Sequence, residues 1–488
     1  MHQIRIIVVF ISTILAGCMV GPDFHSPASP KTNHYTYSPL PKKTISTSKT
    51  GTSGKAQQFV FGKDIPAEWW YLFHSSDINQ LIIKGLANSP NLISAKATLR
   101  QAEETLRAQI GALMFPNVSA QLGAQRQYFS PATLGSSSSS SLFNLYNASV
   151  NVSYTPDVFG GSRRQIEALR AEVDYERYEL AAAYLTLTSN IVTTAITTAS
   201  LQAQIQTTKD LIRYQRELLV ITKQQYKVGA VSLANVFTQE TQLAQTEASL
   251  PPLQQSLSQS NHALAVLVGE LPSENRPLKL DLTKLQLPSK LPVSLPSSLV
   301  RQRPDVLSSE ALLWEASAQI GVATAALFPQ ITLSGAYGWT DTSLSNFFSP
   351  HNHVWDYGGS LTQPIFNAGS LRAKRRAAVA AYDAAYAQYR QTVLQAFQNV
   401  ADSLRAIQHD AETLRAQKNA EASAKQSFLL TGSQYRLGGV DYLNLLTAEV
   451  QYQQAKIALI QAQASRYNDT AALFQALGGG WWHNCLDI

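Results

Sequence analysis

The residues able to do covalent chemistry are few and poorly placed for it. His483, Asn484 and Cys485 are the residue types of a thiol-protease site, yet they occupy three adjacent positions. Such groups must converge in space from separate elements. The nine histidines are scattered and show no His-Glu-x-x-His or other metal-ligating spacing. His351-x-His353 falls in an expected loop, and no phosphate-cradling glycine loop is present. Two cysteines exclude a disulfide framework or a cysteine-based zinc ribbon. The expectation is no catalytic residue, no metal and no cofactor.

Cys18 is the exception. A single Arg5 precedes an apolar run from Ile6 to Ile14, followed by Leu15-Ala16-Gly17-Cys18. The run is shorter than the ~20 residues needed to cross a bilayer but suits a signal segment. Small residues before a cysteine resemble the bacterial lipobox, in which the cysteine becomes the acylated first residue of the mature chain. Residues 1–17 are therefore expected to be a signal peptide and Cys18 a lipidation site carrying palmitate. Met19, rather than an aspartate, follows it, which for bacterial lipoproteins implies sorting to the outer membrane. Cys485 is then left without an intramolecular partner, and the Asn-x-Ser/Thr matches at Asn117, Asn147, Asn151 and Asn468 lose meaning.

Composition agrees with an unusual architecture. Of 488 residues only 15% are charged, against roughly 25% in an ordinary soluble domain. The net charge of +6 is too small for this length to suggest nucleic acid. No segment after the signal suggests a membrane helix, so any crossing must use strands.

The chain carries an internal repeat of about 210 residues. Phe115-Pro116 recurs as Phe328-Pro329, and Thr155–Phe159 as Thr362–Phe366. Tyr226-Lys227-Val228-Gly229 recurs as Tyr435-Arg436-Leu437-Gly438; Asn235, Thr238, Glu240 and Gln242 then match Asn444, Thr447, Glu449 and Gln451. The first repeat spans residues 76–270, with strands about 117–126 and 149–156 and a long helix about 163–226. The second spans 301–480, with strands about 330–339 and 354–363 and a long helix about 370–435. An extension over 18–75, a proline-rich linker over 271–300 and a tail over 481–488 complete the division. Residues 19–66 are expected to thread over the surface.

Each repeat reads helix, two strands, long helix, tight turn, helix. Val118 to Gln125 alternates apolar with polar, the period of a strand with two different faces. Trp339, Trp355 and Tyr357 suit an interfacial girdle. The first helix is expected to run unbroken from about Asp77 to Leu113. Residues 163–226 lack proline and glycine and would reach about 95 Å at ~1.5 Å per residue. Tyr184, Ile191, Ile205, Ile212, Leu219 and Tyr226 form a seven-residue stripe interrupted by Thr198. Gly229 and Gly438-Gly439 follow the long helices where a left-handed cap is needed. Four strands cannot close a barrel, and an open sheet edge in lipid is prohibitive, so several copies must pool their strands around a conduit.

These features resemble the TolC-like outer-membrane efflux channel family, most closely its lipoprotein branch of OprM/NodT type. The carrying residues are Leu15-Ala-Gly-Cys-Met-Val-Gly-Pro-Asp23, Glu68-Trp-Trp-x-x-Phe73, Arg303-Pro-Asp-Val306, both Phe-Pro steps, Gln363-Pro-Ile-Phe366, Tyr435-x-x-Gly438 and Ala476-Leu-Gly-Gly-Gly-Trp481. The resemblance implies a mainly α protein with a membrane β-barrel. It implies a homotrimer with a 12-stranded barrel continued by a 12-helix periplasmic α-barrel. It further implies a passive, non-enzymatic duct in the outer membrane, lipid-anchored, receiving drugs or other toxic small molecules from an inner-membrane efflux pump and a periplasmic adaptor (membrane fusion) protein. A protein-secretion duct and a structural coiled-coil envelope lipoprotein are the alternatives, and the alternating strands disfavour the second.

By the same resemblance the turns Val228, Gly229, Ala230 and Leu437, Gly438, Gly439 are adaptor-contacting tips, although helix capping alone would explain their glycines. The family commonly constricts its periplasmic entrance with aspartates just inside the second tip. Those positions fall on Asn444 and Thr447, neither acidic, so the constriction expected there carries no charged ring; Asp441 is the nearest acid. Arg303-Pro304-Asp305 reads as a helix start. The Arg372, Lys374, Arg375, Arg376 cluster reads as a solvated face.

Overall fold

The computed structural model describes residues 19–130, 140–274 and 278–483. The signal segment, Cys18 and Cys485 lie outside the described residues. In chain order the elements are β1 (Gln58–Phe61), α1 (Ser76–Asn88), α2 (Pro90–Met114), β2 (Asn117–Phe129), β3 (Ser141–Tyr154), α3 (Gly161–Lys227), α4 (Leu233–Leu267), β4 (Lys290–Val293), α5 (Pro304–Ala325), β5 (Gln330–Asp341), β6 (His353–Thr362), α6 (Ser370–Arg436) and α7 (Tyr442–Ala476). The long helices α3 and α6 each have 67 residues, and α4 and α7 each have 35.

Two compact units divide the chain. The first comprises residues 1–27, 98–176 and 308–389. Its centre is an antiparallel sheet in the order β2-β3-β5-β6. The register aligns Ala120 with Val150, Val150 with Tyr337 and Tyr337 with Trp355. It likewise aligns Val118, Val152, Gly335 and Tyr357 across the sheet. The intervening rows run Gln121, Ser149, Gly338, Val354 and Ser119, Asn151, Ala336, Asp356. Because side chains alternate across a strand, one face is apolar and aromatic and the other mostly polar. Among the described residues, much of the apolar face is left open. Leu122, Tyr128, Trp355, Tyr357 and Leu361 are all well exposed.

The second unit comprises residues 28–97, 177–307 and 390–488. Its core is helical and matches much of the seven-residue stripe. Tyr184, Ile191, Ile205 and Ile212 are buried. Thr198, the polar interruption, is fully buried because its hydroxyl meets that of Ser260 at 2.7 Å. The stripe fails at its end, where Tyr226 is exposed and Leu218 rather than Leu219 enters the core. A straight helix drifts about 20° per heptad against a 3.5-residue repeat, enough to hand the seam to the neighbouring position.

Three sequence expectations need correction. The first helix is two helices, because Ser89, ahead of Pro90, adopts extended backbone (ψ 119°), and proline disfavours a helical predecessor. Residues 42–62 do not merely thread over the surface. β1 pairs in parallel with β4 of the linker. The buried Arg466 of α7 donates to the carbonyls of Ser53 and Lys55, the Thr44 hydroxyl (3.2 Å) and the Gln57 side-chain oxygen (3.3 Å). The Glu68-Trp-Trp-x-x-Phe73 motif forms a 3-10 turn whose Trp69 and Phe73 are fully buried, Trp69 stacking on Phe474 at 5.3 Å. Finally, α3 does hold an 18-residue window of mean hydropathy 1.3, but 61% of it is buried inside the chain. That apolar surface forms core.

Candidate functional site

Two helical hairpins end in turns of the same construction. At the first, the Gly229 N–H donates to the Tyr226 carbonyl and the Ala230 N–H to that of Gln225 (2.9 and 2.8 Å). At the second, Gly438 donates to Tyr435 and Gly439 to Gln434 (3.0 and 2.8 Å). This closure satisfies the last carbonyls of α3 and α6 and needs a left-handed residue; Gly229 and Gly438 supply it at φ 72° and 77°. Lys227 and Arg436 occupy the last helical turns, where a cation suits the helix dipole. Val228, Gly229, Ala230, Leu437, Gly438 and Gly439 are all exposed. The turns thus present apolar and basic groups on a well-capped backbone.

Just beyond the second turn, Asp441 is the N-cap of α7, its carboxylate accepting from the Asn444 N–H at 3.0 Å. Asp441, Asn444 and Thr447 are all exposed and, three residues apart, share one side of the first turns of α7. The opposite side is packed. Tyr442, Leu445 and Leu446 form a core with Leu218 of α3, joined by Tyr214, Phe428 and Tyr435.

The two hairpins are also tied by polar contacts. The Tyr435 hydroxyl donates to the Gln225 side-chain oxygen at 2.7 Å. Burial raises the Tyr435 phenol, with the Gln225 bond opposing it, so the group remains a donor. Within the first hairpin, Arg216 pairs with Glu247 (2.6 Å) and Lys223 with Glu240 (2.8 Å). Sequence reasoning missed Glu449 as a site residue. It was visible as the repeat mate of Glu240, but its burial depends on packing against α3.

In the other unit, the residues after Cys18 are clamped beside the sheet. The Val20 N–H donates to the Phe159 carbonyl at 3.2 Å. Arg164, only 1% exposed, donates to the carbonyls of Val20 and Gly21 and pairs with Asp23 (2.8 Å) and Glu167 (2.7 Å). Phe159 and Arg164 flank the passage from β3 into α3. Val20 and Gly21 are therefore held at that passage.

The remaining candidates have structural explanations. Arg372, Lys374, Arg375 and Arg376 are exposed on the first turns of α6. Arg303 sits just before α5, paired bidentately with Asp305 and donating to the Ala476 carbonyl at 2.8 Å. No group of three or more metal-ligating side chains occurs among the described residues.

A two-faced four-stranded sheet with long helical hairpins defines an outer-membrane channel protein of the TolC-like type. Residues 81–270 and 295–479 match the outer membrane efflux protein family, and the chain belongs to it. Among its relatives is an antibiotic efflux pump outer membrane protein, ArpC, of Pseudomonas putida. It is 30% identical over 477 residues, covering 96% of this chain and 94% of that one. A toluene efflux pump outer membrane protein, TtgC, also of Pseudomonas putida, is 29% identical with the same coverage. The solved outer-membrane channel OprN superposes with a TM-score of 0.83 at 28% identity, covering 95% of this chain and all of that one. The protein is an outer-membrane component, and the resemblance carried by the sequence motifs holds.

Proposed function

We propose that this chain is the outer-membrane exit duct of a tripartite efflux system, conducting toxic small molecules passively outward from an inner-membrane pump and a periplasmic adaptor. The observation that carries this reading is the sheet. It has one apolar and one polar face, and β2 and β6 are open edges within the chain. An edge left unpaired in lipid is prohibitive, and closure alone removes it. Three copies would join β6 of one to β2 of the next, giving a twelve-stranded barrel with the apolar face to lipid and the polar face to a water-filled lumen. The hairpins of three copies would likewise form the twelve-helix periplasmic tube, with the two turns at its entrance for the adaptor.

A lipid on Cys18 would add a membrane anchor to the one the strands provide. No chemistry is asked of the chain, consistent with a family of channels. The cargo is set elsewhere, since relatives of nearly equal identity are named for antibiotics and for toluene. A spacer lipoprotein would have no use for a two-faced sheet. Native mass spectrometry of the detergent-extracted protein, together with drug accumulation in cells lacking their own channel, tests the reading. A trimer whose expression with its cognate pump and adaptor lowers accumulation is the expected result. A monomer that leaves accumulation unchanged contradicts it.

A further inference from the structure

The two repeats treat one carboxylate differently. Glu240 of α4 is half-exposed and pairs with Lys223 of α3 at 2.8 Å. Its repeat mate is Glu449 of α7, and the mate of Lys223 is Gly432 of α6. The lysine is absent, and Glu449 is 1% exposed; in place of a cation, the neutral Gln215 amide of α3 partly stabilises its ionised form. The groups facing it are the Gln215 amide and Tyr214 ring of α3 and the Tyr442 ring of α7. The Tyr442 hydroxyl lacks a hydrogen-bond partner among the described residues. From α4, Gln239 donates to the Gln215 backbone carbonyl at 3.2 Å. From α6, Tyr435 faces Tyr442, while Arg436 and Glu217 of α3 act on Tyr214. No cation pairs with Glu449 among the described residues.

We propose that Glu449 is a proton-controlled catch between the two hairpins: protonated, it lets α7 lie against α3, and ionised, it drives that contact apart and opens the entrance. This inference rests on the duct reading given above. The physical basis is that a buried carboxylate without a cation loses its hydration for only a neutral amide in exchange. Burial pushes the Glu449 carboxyl up to about 7, so the seated arrangement holds a proton that a displaced, hydrated Glu449 would release. The sign follows directly. A raised folded-state value means that the seated arrangement is favoured at low pH, and that preference is lost as pH rises from the ordinary glutamate range towards 7. Each pH unit in that window moves the seated-to-displaced ratio by up to tenfold, and above it the ratio levels off.

The test uses the full-length oligomer with two readouts. Open probability is measured in planar bilayers at pH 5 and pH 7.5. Independently, pulsed electron spin resonance measures the distance between labels on Arg213→Cys of α3 and Gln451→Cys of α7, in a Cys485→Ser chain. The unsubstituted gate should gain on the order of tenfold or more in open probability between these pH values, with a longer label distance. Glu449→Gln, which mimics the protonated group, should hold both readouts at their pH 5 values. Gly432→Lys restores the missing cation. A side chain at Gly432 points at Leu445, one turn from Glu449, with 3.7 Å of clearance, and the variant should flatten the response by letting the ionised group stay seated. A Glu449→Gln protein that keeps the full pH response in both readouts overturns the proposal. Should that variant not assemble, an undiminished response in Gly432→Lys does the same. A label distance that moves as expected while conductance does not supports the catch and refutes the entrance assigned by the duct reading.

Discussion

Tyr435, at the end of α6, reaches across to α3, where its hydroxyl donates to the Gln225 side-chain oxygen at 2.7 Å. The two residues lie on different hairpins, 210 positions apart. Each precedes its own turn by only a few residues, so the bond spans the hairpins where they approach the proposed entrance. A single such bond contributes about 0.5–1.5 kcal/mol net. Tyr435→Phe keeps the ring contact with Tyr442 and removes the bond alone. Open probability of the purified channel should rise by about 2- to 10-fold; an unchanged value would mean that the bond does not restrain the gate.

Asp441 separates two roles that the sequence left together. As N-cap of α7 it should be replaceable by asparagine, which caps equally well, but not by alanine, which costs about 1 kcal/mol. Thermal unfolding should therefore rank Asp441→Asn near wild type and Asp441→Ala below it. If a ring of Asp441 carboxylates also filters ions, both variants should lose cation preference in reversal-potential measurements. Loss in neither leaves capping as the whole role.

Gly438 tests the turn itself. Nothing lies within 4 Å of a β-carbon built there, yet its φ is 77°, a region that β-branched residues scarcely adopt. Gly438→Val should distort the turn without crowding a neighbour. Trimer yield and membrane insertion should be near normal, while export falls by an order of magnitude or more; a fully active variant would remove the turn from the adaptor-docking role.

Arg164 holds residues 20–23 in place. Its removal leaves Glu167 partly buried without its cation, and breaking such a pair typically costs about 3–5 kcal/mol. Arg164→Ala should make residues near Val20 protease-sensitive and lower the oligomer's melting temperature. Cys18→Ser should differ, weakening anchoring in membrane fractionation but leaving trimers intact.

One buried carboxyl pair should contribute stability that falls with rising pH. Burial and the facing Asp469 carboxyl hold the Asp410 carboxyl well above its ordinary range, with Arg466 only partly offsetting them. The folded form thus binds a proton that the unfolded form has lost. That contribution is complete below the ordinary aspartate value of 3.8 and is lost progressively as pH rises through the raised folded value. Melting temperature should decline over that interval, and Asp469→Asn should flatten the slope. Equal slopes in both proteins would deny the pair this role.

Local periodicity made much of this architecture readable. Alternation in Val118 to Gln125 revealed a strand, and the Tyr-x-x-Gly turns located both hairpin ends. What escaped notice depends on long-range packing. Arg466 meets Thr44 across 422 positions, and β1 meets β4 across more than 200. No periodicity carries such information. The burial of Glu449 is similar, since its identity matched Glu240 while its surroundings were set by α3. The break at Ser89–Pro90 is legible in the sequence, since a proline disfavours a helical residue before it.

The most direct test of the duct is single-channel conductance of the purified protein in a planar bilayer, with its mass determined on the same sample. Discrete conductance steps from a particle of three chains are predicted, with a higher open probability in Tyr435→Phe than in wild type. A monomer or dimer that passes no current, with or without that substitution, would contradict a shared barrel and the conduit built upon it.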